Sequence, residues 1–453
     1  MKITDLNTEG GIGANSLFVE IGPFRLLIDA GLNPKKLGLA ALPNFGRIED
    51  YSLDFIILTH CHLDHLGALP VILRKQPQVR VLVSSPTLGL APRMLLNSYN
   101  VMKRQREEHG IKEYPLYSRL DIDFCAQHMF PLHFDRPSYF RAGNEQIAIT
   151  LHPSGHLPGA AGCQITYKHR KILFTGDVLF KSQRILNGAR LPSKGLDTLV
   201  METTRGARQR PDDQSREAET QRLFESVNRT IEQGGSCLIP VFALGRMQEM
   251  LTLIYDARKD GRLVDCPIYS SGLGMDLVNH FDRISRKTSL LNFRRRVIRD
   301  LGIRKPNWPA IRPGRDLTEK GLYLMSSGML VEETPSYRIA ASLLGHTRNT
   351  ISFIGYCEEE TPGGRLLATP RGTPFTFETL DSTENVNARV EQFDLSSHAD
   401  REELRDFAIR RNPRAIVLTH GDTEARDWFS EQFSEHMPRA QVTDPTPLKP
   451  YWI

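Results

Sequence analysis

Five short apolar runs, each followed by a histidine or an acidic residue, constrain the fold of this chain more than any other feature. They are FRLLI before Asp29, DFIILT before His60, KILFTG before Asp177, DTLVM before Glu202 and AIVLT before His420. Apolar runs of this length, bounded by turn residues, predict buried β-strands. A layered α/β fold carries its polar chemistry on loops at one end of the sheet. We therefore expect these five side chains to meet at one sheet edge.

The densest group of metal-competent side chains, HCHLDH, directly follows the second of these runs. It contains His60, His62, Asp64 and His65. A single histidine or aspartate is more often a surface or capping residue, but this combination directly after a strand is a specific signal. Imidazole and carboxylate suit zinc, whose catalytic sites keep one position open for water. The cluster predicts a zinc-dependent hydrolase, and alternate side chains could face two ions. Candidates for the remaining ligands are His156 in PSGHLPGAAG, Asp177 as a bridge, and His420.

The chain length and the alternation of helical and strand-like segments predict two lobes rather than one core. A chain of 453 residues is longer than single hydrophobic cores usually grow. Between about 206 and 380, helical stretches such as SREAETQRLFESVNRTIEQGG alternate with strand-like runs such as SCLIPV, which is typical of a separate α/β lobe. The sequence contains no apolar run of membrane-spanning length and no secretory signal pattern. The six cysteines form no CxxC pair. We therefore expect a cytoplasmic protein with reduced thiols and no membrane partner.

Several motifs together resemble those of a known family. HCHLDH, the Gly-His of PSGHLPGAAG, TGD and the preceding LLIDAG look like motifs of the metallo-β-lactamase fold. METTRG with Glu202, LSSHAD with His398 and LTHGD with His420 are similar to three further motifs of its β-CASP nuclease branch. That branch includes the cleavage and polyadenylation endonuclease type and its bacterial and archaeal relatives. The resemblance implies a four-layer αββα domain built from residues 1–205 and 381–453, with an inserted α/β β-CASP domain at 206–380.

The resemblance also implies a set of metal ligands. Two zinc ions are expected, the first held by His60, His62 and His156 and the second by Asp64, His65 and His420, with Asp177 bridging them. A hydroxide shared by two ions would attack a phosphodiester in line. Asp64 would thus serve both binding and catalysis.

Three more residues receive roles from the same resemblance. Asp29 would accept a hydrogen bond from a ligand histidine, although a turn aspartate at a strand end explains it equally well. His398 would act as the general acid that protonates the leaving 3′ oxygen, with Glu202 orienting its ring. The alternative for His398 is a surface histidine that caps the helix REELRDFAIR.

The resemblance favours single-stranded RNA as the substrate, because RNA-processing members of the branch tend to carry a histidine at the position of His420. Endonuclease and 5′ exonuclease modes stay open, and so does a homodimer. The alternatives are a DNA nuclease of the same family, a small-molecule hydrolase of a thioester or lactam, and a silent RNA-binding scaffold. The formal net charge of +5 decides little. A basic stretch between 283 and 305 could follow an RNA backbone or form a solvated helix face.

Overall fold

A computed structural model describes residues 1–210 and 215–453, which form two compact units. The first unit comprises Met1–Ser182, Asn187–Gln209 and His398–Ile453. The second comprises Gln183–Leu186 and, as far as it is described, Arg210–Ser397. Most of the second unit is therefore one stretch of chain inserted between two parts of the first.

The first unit contains the following elements before the insertion: β1 (Lys2–Asp5), β2 (Leu17–Ile21), β3 (Phe24–Ile28), β4 (Phe55–Ile57), α1 (Leu63–Leu66), α2 (Leu69–Lys75), β5 (Arg80–Ser84), α3 (Ser85–His109), α4 (Arg119–His128), β6 (Met129–Leu132), β7 (Ser138–Ala142), β8 (Glu145–Pro153), β9 (Ala161–Tyr167), β10 (Arg170–Phe174) and β11 (Thr198–Glu202). Short 3-10 helices occur at Gly38–Ala41 and Phe45–Arg47.

The second unit contains α5 (Arg216–Glu232), β12 (Cys237–Pro240), α6 (Arg246–Lys259), β13 (Ile268–Ser270), α7 (Leu273–Lys287), α8 (Arg296–Asp300), β14 (Leu322–Met325), α9 (Pro335–Leu343), β15 (Thr350–Phe353), α10 (Pro362–Ala368), β16 (Pro374–Phe377), β17 (Ser382–Asn385) and β18 (Arg389–Gln392), with 3-10 helices at Trp308–Ala310 and Glu378–Leu380. The chain then returns to the first unit with α11 (Arg401–Arg411), β19 (Ala415–Thr419), α12 (Thr423–His436), β20 (Gln441–Thr443) and β21 (Pro450–Trp452).

The first unit has four layers, with two sheets between two layers of helices. One sheet has the strand order β21-β1-β2-β3-β4-β5-β6 and the other the order β20-β19-β11-β10-β9-β8-β7. Successive side chains of a strand face opposite sides, so in β11 Val200 packs between the sheets, whereas Leu199 and Met201 pack against the helix side. Helices α11 and α12 cover this second sheet through residues such as Phe407 and Phe429. Helices α3 and α4 contact the first sheet at β5. The predicted αββα order is confirmed.

The strand-end pattern is also confirmed, and it has a simple cause. Strands β3, β4 and β5 run parallel in one sheet, and β10, β11 and β19 run parallel in the other. Parallel strands end at the same edge, which places the residues after them side by side. Because these strands are covered on both faces, they are almost continuously apolar in sequence.

The second unit has a parallel sheet of its own, in the order β13-β14-β12-β15-β18, and a separate hairpin of β16 and β17. Its core contains Tyr323, Tyr337 and Phe353, each almost completely buried. Strand β18 pairs with β15 from Thr350 opposite Arg389 to Phe353 opposite Gln392. This pairing explains why the second unit extends past the predicted boundary at 380, since the chain leaves the sheet only after β18.

Within residues 1–210 and 215–453, no helix has both the length and the apolar character needed to cross a membrane.

Candidate metal centre

The HCHLDH segment forms the turn between β4 and α1, and backbone contacts fix its position. His62 is the N-cap of α1, so Asp64 and His65 lie in the first turn of that helix. The Asn15 N–H donates to the Asp64 carbonyl at 2.9 Å. The chain passes so close here that a Cβ on Gly31 would lie 1.7 Å from the Asp64 carbonyl oxygen, which only glycine avoids. Close backbone packing therefore fixes the position of the turn.

Cys61 lies between two of the histidines but faces away from them. Its thiol donates to the Thr87 carbonyl at 3.6 Å. Complete burial raises the pKa of this thiol to about 12, so it stays protonated at neutral pH. A protonated thiol is not a metal ligand.

The first group of candidate ligands consists of His60, His62, His156 and Asp177, whose ligand atoms all lie within 4.8 Å of one another. The Nδ1 atom of His62 is 3.2 Å from His60 Nε2 and 3.1 Å from His156 Nε2. Asp177 Oδ2 lies 3.4 Å from His60 Nε2 and 3.5 Å from His156 Nε2. Three nitrogens and one oxygen therefore face a common point.

The second group consists of Asp64, His65 and His420. Asp64 Oδ2 lies 3.2 Å from His420 Nε2 and 3.5 Å from His65 Nε2. Asp177 approaches this group through its other oxygen, because Oδ1 is 3.4 Å from His65 Nε2 and 3.4 Å from Nδ1 of His420, the ring nitrogen that does not face Asp64. Among the described residues this buried Oδ1 accepts no hydrogen bond. One carboxylate thus faces both groups, with one oxygen turned to each.

Burial sets the charge state of the first group. It lowers the pKa of His60 well below its ordinary value, and neighbouring histidines lower it further. Burial also lowers the pKa of His62 to about 4. Both rings are therefore neutral at physiological pH, which is the form that binds a metal.

The second group holds an excess of buried negative charge. Burial acts to lower the pKa of His65, but the carboxylates of Asp177, Asp64 and Asp29 outweigh it and raise the pKa to about 10. Carboxylates buried this closely require a compensating positive charge. A divalent cation between the two groups would provide it.

Two threonines that the sequence analysis missed orient ligand histidines. Thr59 Oγ1 donates its proton to Asp29 Oδ2 at 2.7 Å and lies 3.1 Å from His60 Nδ1. Because the hydroxyl has only one proton, Nδ1 is the donor in the second contact. Thr204 Oγ1 donates to Glu202 Oε2 and lies 3.0 Å from His420 Nδ1. In a neutral ring, each arrangement places the proton on Nδ1 and directs Nε2 at the ligand group. These threonines follow no motif spacing, and only their position beside a ligand histidine or a strand-end acid could have identified them.

Asp29 has both features that the sequence left open, the backbone conformation of a turn aspartate and a hydrogen bond with a candidate ligand histidine. Its φ of 62° lies in the left-handed region, which aspartate adopts at turns. Its carboxylate also accepts hydrogen bonds from the Thr59 N–H and from His65 Nδ1, each at 2.7 Å. His420 has a similar φ of 50°. Left-handed backbone at non-glycine residues carries a cost and persists where the surroundings fix it.

His398 and Glu202 lie beside the ligand groups as a pair. His398 Nδ1 donates to Glu202 Oε2 at 2.9 Å, and the ring centroid of His398 is 4.6 Å from that of His156. Burial acts to lower the pKa of His398, but the Glu202 carboxylate outweighs it and raises the pKa. His398 does not cap α11, because Asp400 occupies the N-cap position and forms a capping box with Glu403.

Asp400 in turn anchors two basic side chains. Arg205 Nη1 lies 2.7 Å from Asp400 Oδ1, and Lys181 Nζ lies 3.2 Å from Oδ2. Together with Asn15, whose side-chain amide is 3.0 Å from His65 Nε2, these residues surround the site that the sequence predicted. All ten residues predicted for the site lie in the first unit, and the structure brings them together.

Three family descriptions match the chain in succession. They are the metallo-β-lactamase superfamily over residues 10–223, the β-CASP domain over 247–366, and the Zn-dependent metallo-hydrolase RNA specificity domain over 383–442. They follow the same order along the chain as the motifs that suggested the family.

Individual relatives match nearly the whole chain. A probable RNase, MJ4, of Methanocaldococcus jannaschii is 25% identical over 93% of this chain and 94% of its own length. Transcription termination factor FttA of Pyrococcus abyssi is 30% identical over 94% of this chain and 67% of its own. Cleavage and polyadenylation specificity factor 73 of Drosophila melanogaster is 26% identical over 93% of this chain and 60% of its own.

A solved structure shares the fold. The crystal structure of a protein of unknown function from Enterococcus faecalis superposes with a TM-score of 0.53 at 14% identity, covering 99% of both chains. With these family matches and relatives, the resemblance drawn from the motifs is confirmed. The chain belongs to the metallo-β-lactamase superfamily, in the β-CASP branch of metallo-hydrolases.

Proposed function

We propose that the chain is a zinc-dependent ribonuclease that hydrolyses phosphodiester bonds of single-stranded RNA, with two zinc ions and a histidine general acid. The observation that carries this proposal is the position of Asp177. Its two carboxylate oxygens face two separate groups of nitrogen and oxygen ligands. The His398–Glu202 pair lies directly beside them.

The ligand spacing fits zinc. Four ligands at about 2.0–2.1 Å from a tetrahedral zinc ion lie about 3.3 Å from one another. In the first group, four of the six pairwise separations are 3.1 to 3.5 Å, and all the ligand atoms lie within 4.8 Å of one another. In the second group the separations of Asp64 from the two histidines are 3.2 and 3.5 Å. Small shifts of side chains would be enough to accommodate ions in both groups.

Two zinc ions would lower the pKa of an attacking water and neutralise charge that develops on the phosphate. Asp177 would hold the two ligand groups at a fixed separation. Thr59 and Thr204 would keep His60 and His420 in the tautomer that presents Nε2.

His398 would supply the proton that the leaving 3′ oxygen needs. Glu202 accepts the Nδ1 proton, which leaves Nε2 as the atom that can transfer a proton to substrate. Glu202 is itself fixed, because its Oε1 accepts the Val178 N–H and Thr204 donates to its Oε2. A positively charged His398 is favoured by this carboxylate, so the acid form is available near neutral pH.

Three observations support RNA as the substrate class. The C-terminal part of the chain matches a family described as an RNA specificity domain. One relative is named as a probable RNase and another as a cleavage and polyadenylation factor. In addition, His420 occupies the last motif, as in the RNA-processing members that the sequence resembles.

The test is a comparison of labelled single-stranded RNA and DNA of equal sequence, with and without a chelator. We expect cleavage of RNA that stops with the chelator and returns with zinc. Preferential cleavage of DNA would support a DNA nuclease instead, and hydrolysis of a thioester or lactam without RNA cleavage would support a small-molecule hydrolase. Cleavage that the chelator does not affect would exclude the metal mechanism.

A further inference from the structure

The positive charge of the second unit is concentrated in residues 283–305. This segment contains seven arginines and two lysines but a single acid, Asp300. The formal net charge of the whole chain is only +5, so the remainder of the chain is net acidic. All nine basic side chains are exposed, namely Arg283, Arg286, Lys287, Arg294, Arg295, Arg296, Arg299, Arg304 and Lys305. We call these nine residues the 283–305 basic surface.

Specific contacts hold the chain around residues 291–295 against helix α7. Helix α7 buries Leu277 and Phe281 on one face, and Phe293 packs edge-on against Phe281 with ring centroids 5.9 Å apart. The hydroxyl of Ser285 donates to the Leu291 carbonyl at 2.7 Å. The chain after α7 is thereby held against the last turns of the helix.

The arginine run is fixed in the same way. The Arg295 N–H donates to Asp282 Oδ1 at 2.9 Å, and Arg294 Nη1 donates to Ser285 Oγ at 2.9 Å. The run of arginines 294–296 therefore lies beside the end of α7, which carries Arg283, Arg286 and Lys287. Residues three or four apart on a helix are about 5–6 Å apart at Cβ.

Within residues 1–210 and 215–453, two of these nine charges form ion pairs with carboxylates. Arg286 pairs with Asp282, and Arg299 pairs with Asp300. Among the described residues, no carboxylate forms an ion pair with Arg283, Lys287, Arg295 or Arg296. Like charges held this close repel one another, and a polyanion would relieve the repulsion.

The chemistry of the surface favours phosphate in a nucleic acid over a lipid membrane. Guanidinium groups, which dominate here, bind phosphate oxygens through paired donors. Membrane-surface helices add exposed large apolar side chains to their basic face. Among the described residues of 273–310, no large apolar side chain is strongly exposed. The surface is therefore polar and cationic throughout.

We propose that the 283–305 basic surface binds the sugar-phosphate backbone of RNA, without reading its sequence, and adds affinity for long substrates. The proposal rests on the proposed ribonuclease function only for the identity of the polyanion. It predicts that substrate binding depends strongly on salt, because each phosphate contact with a single strand contributes about 0.7 to the slope of log affinity against log salt.

The experiment compares two charge variants of the full chain. The surface variant carries Arg283→Gln, Lys287→Gln, Arg295→Gln and Arg296→Gln. The matched control removes four exposed arginines elsewhere in the second unit, through Arg312→Gln, Arg315→Gln, Arg348→Gln and Arg371→Gln. All eight positions are exposed, so both proteins should fold like the parent.

Binding of a fluorescent single-stranded RNA to the zinc-loaded proteins is measured by anisotropy on mixing, over a series of KCl concentrations. If all four cations contact phosphates, the slope of log affinity against log salt should be about 3 less steep in the surface variant than in the parent, and the surface variant should bind RNA more weakly. The control should bind RNA like the parent. Hydrolysis of bis(4-nitrophenyl) phosphate, which has no polymer backbone for the surface to bind, should be the same in all three proteins, because none of the eight substituted residues belongs to the metal centre.

Unchanged RNA binding by the surface variant would overturn the proposal, and so would an equal loss in both variants. Loss of binding to vesicles of phosphatidylglycerol alone, with RNA binding intact, would assign the surface to membranes instead. A parent protein that cleaves no RNA, combined with loss of RNA binding in the surface variant, would reject the ribonuclease while leaving the surface assignment in place.

Discussion

Replacing His398 with alanine should abolish most RNA cleavage while leaving metal binding intact. The ring donates Nδ1 to Glu202 and belongs to neither the first nor the second ligand group. Under the proposed function, removing it takes away the proton donor without removing a ligand to either zinc ion. The change therefore separates proton transfer from metal binding.

The size of the effect follows from the role and the surroundings of the ring. Loss of a general acid typically lowers the rate by about 10²–10⁴-fold, which corresponds to roughly 3–5 kcal/mol in the barrier. The change also leaves Glu202, which is 1% exposed, without its histidine. Val178 and Thr204 still donate to this carboxylate, so the loss of folding stability should stay below about 3 kcal/mol. A thermal unfolding curve checks that the variant remains folded.

The assay uses two substrates that differ in whether the leaving group must be protonated. RNA has a poor leaving group, whereas the 4-nitrophenolate of bis(4-nitrophenyl) phosphate leaves without protonation. We expect His398→Ala to lose at least about 100-fold on RNA but less than about tenfold on the nitrophenyl ester, with zinc content unchanged. The variant His398→Gln, which retains a hydrogen-bond donor for Glu202, should show the same difference between the two substrates with a smaller loss of folding stability. Equal losses on both substrates, or loss of bound zinc, would refute the assignment.

Three further predictions concern other parts of the first unit. Asp177→Asn should reduce zinc content, measured by elemental analysis, and abolish activity, because the carboxylate faces both ligand groups; full zinc occupancy would contradict the bridging role. Thr204→Val, which keeps the shape but removes the hydroxyl between Glu202 and His420, should weaken zinc binding about 10–100-fold in a competition titration. Unchanged zinc affinity would show that Thr204 does not orient His420. Burial raises the pKa of Asp5 from its ordinary 3.8 to about 6, so its contribution to stability is full below pH 3.8 and is lost as the pH rises through 6. Asp5→Asn should therefore raise the unfolding temperature at pH 7.5 but not at pH 4, and equal shifts at both values would exclude the titration.

The sequence predicted most of the first unit's central strands because they are buried on both faces. Strand β11, in which all five residues are buried, has the continuous apolar run Leu199–Met201 directly before Glu202. Strands at the sheet edges were missed for the opposite reason. In β7 no residue is fully buried and exposed residues alternate with partly buried ones, and β20 is only three residues long. Short, solvated strands carry no clear periodicity, so their pairing partners decide whether they form.

The sequence also did not predict where the second unit ends. The segment Arg389–Gln392 is polar and partly exposed, and nothing in its composition indicates that it completes a parallel sheet with β15. Its backbone hydrogen bonds join residues far apart in the chain. Such long-range pairing is a property of the folded unit.

By itself, the sequence indicated which side chains could bind a metal, because HCHLDH is compact and both Asp177 and His420 directly follow apolar runs. The tertiary structure decided what those side chains face. Only in the folded unit do the two oxygens of Asp177 turn to different ligand groups, and only there do the hydroxyls of Thr59 and Thr204 lie beside Nδ1 of His60 and His420. Glu202 and His398 are 196 positions apart in sequence yet 2.9 Å apart in space. Strand order and the direction of each ring nitrogen arise from packing between distant segments, which no local pattern encodes.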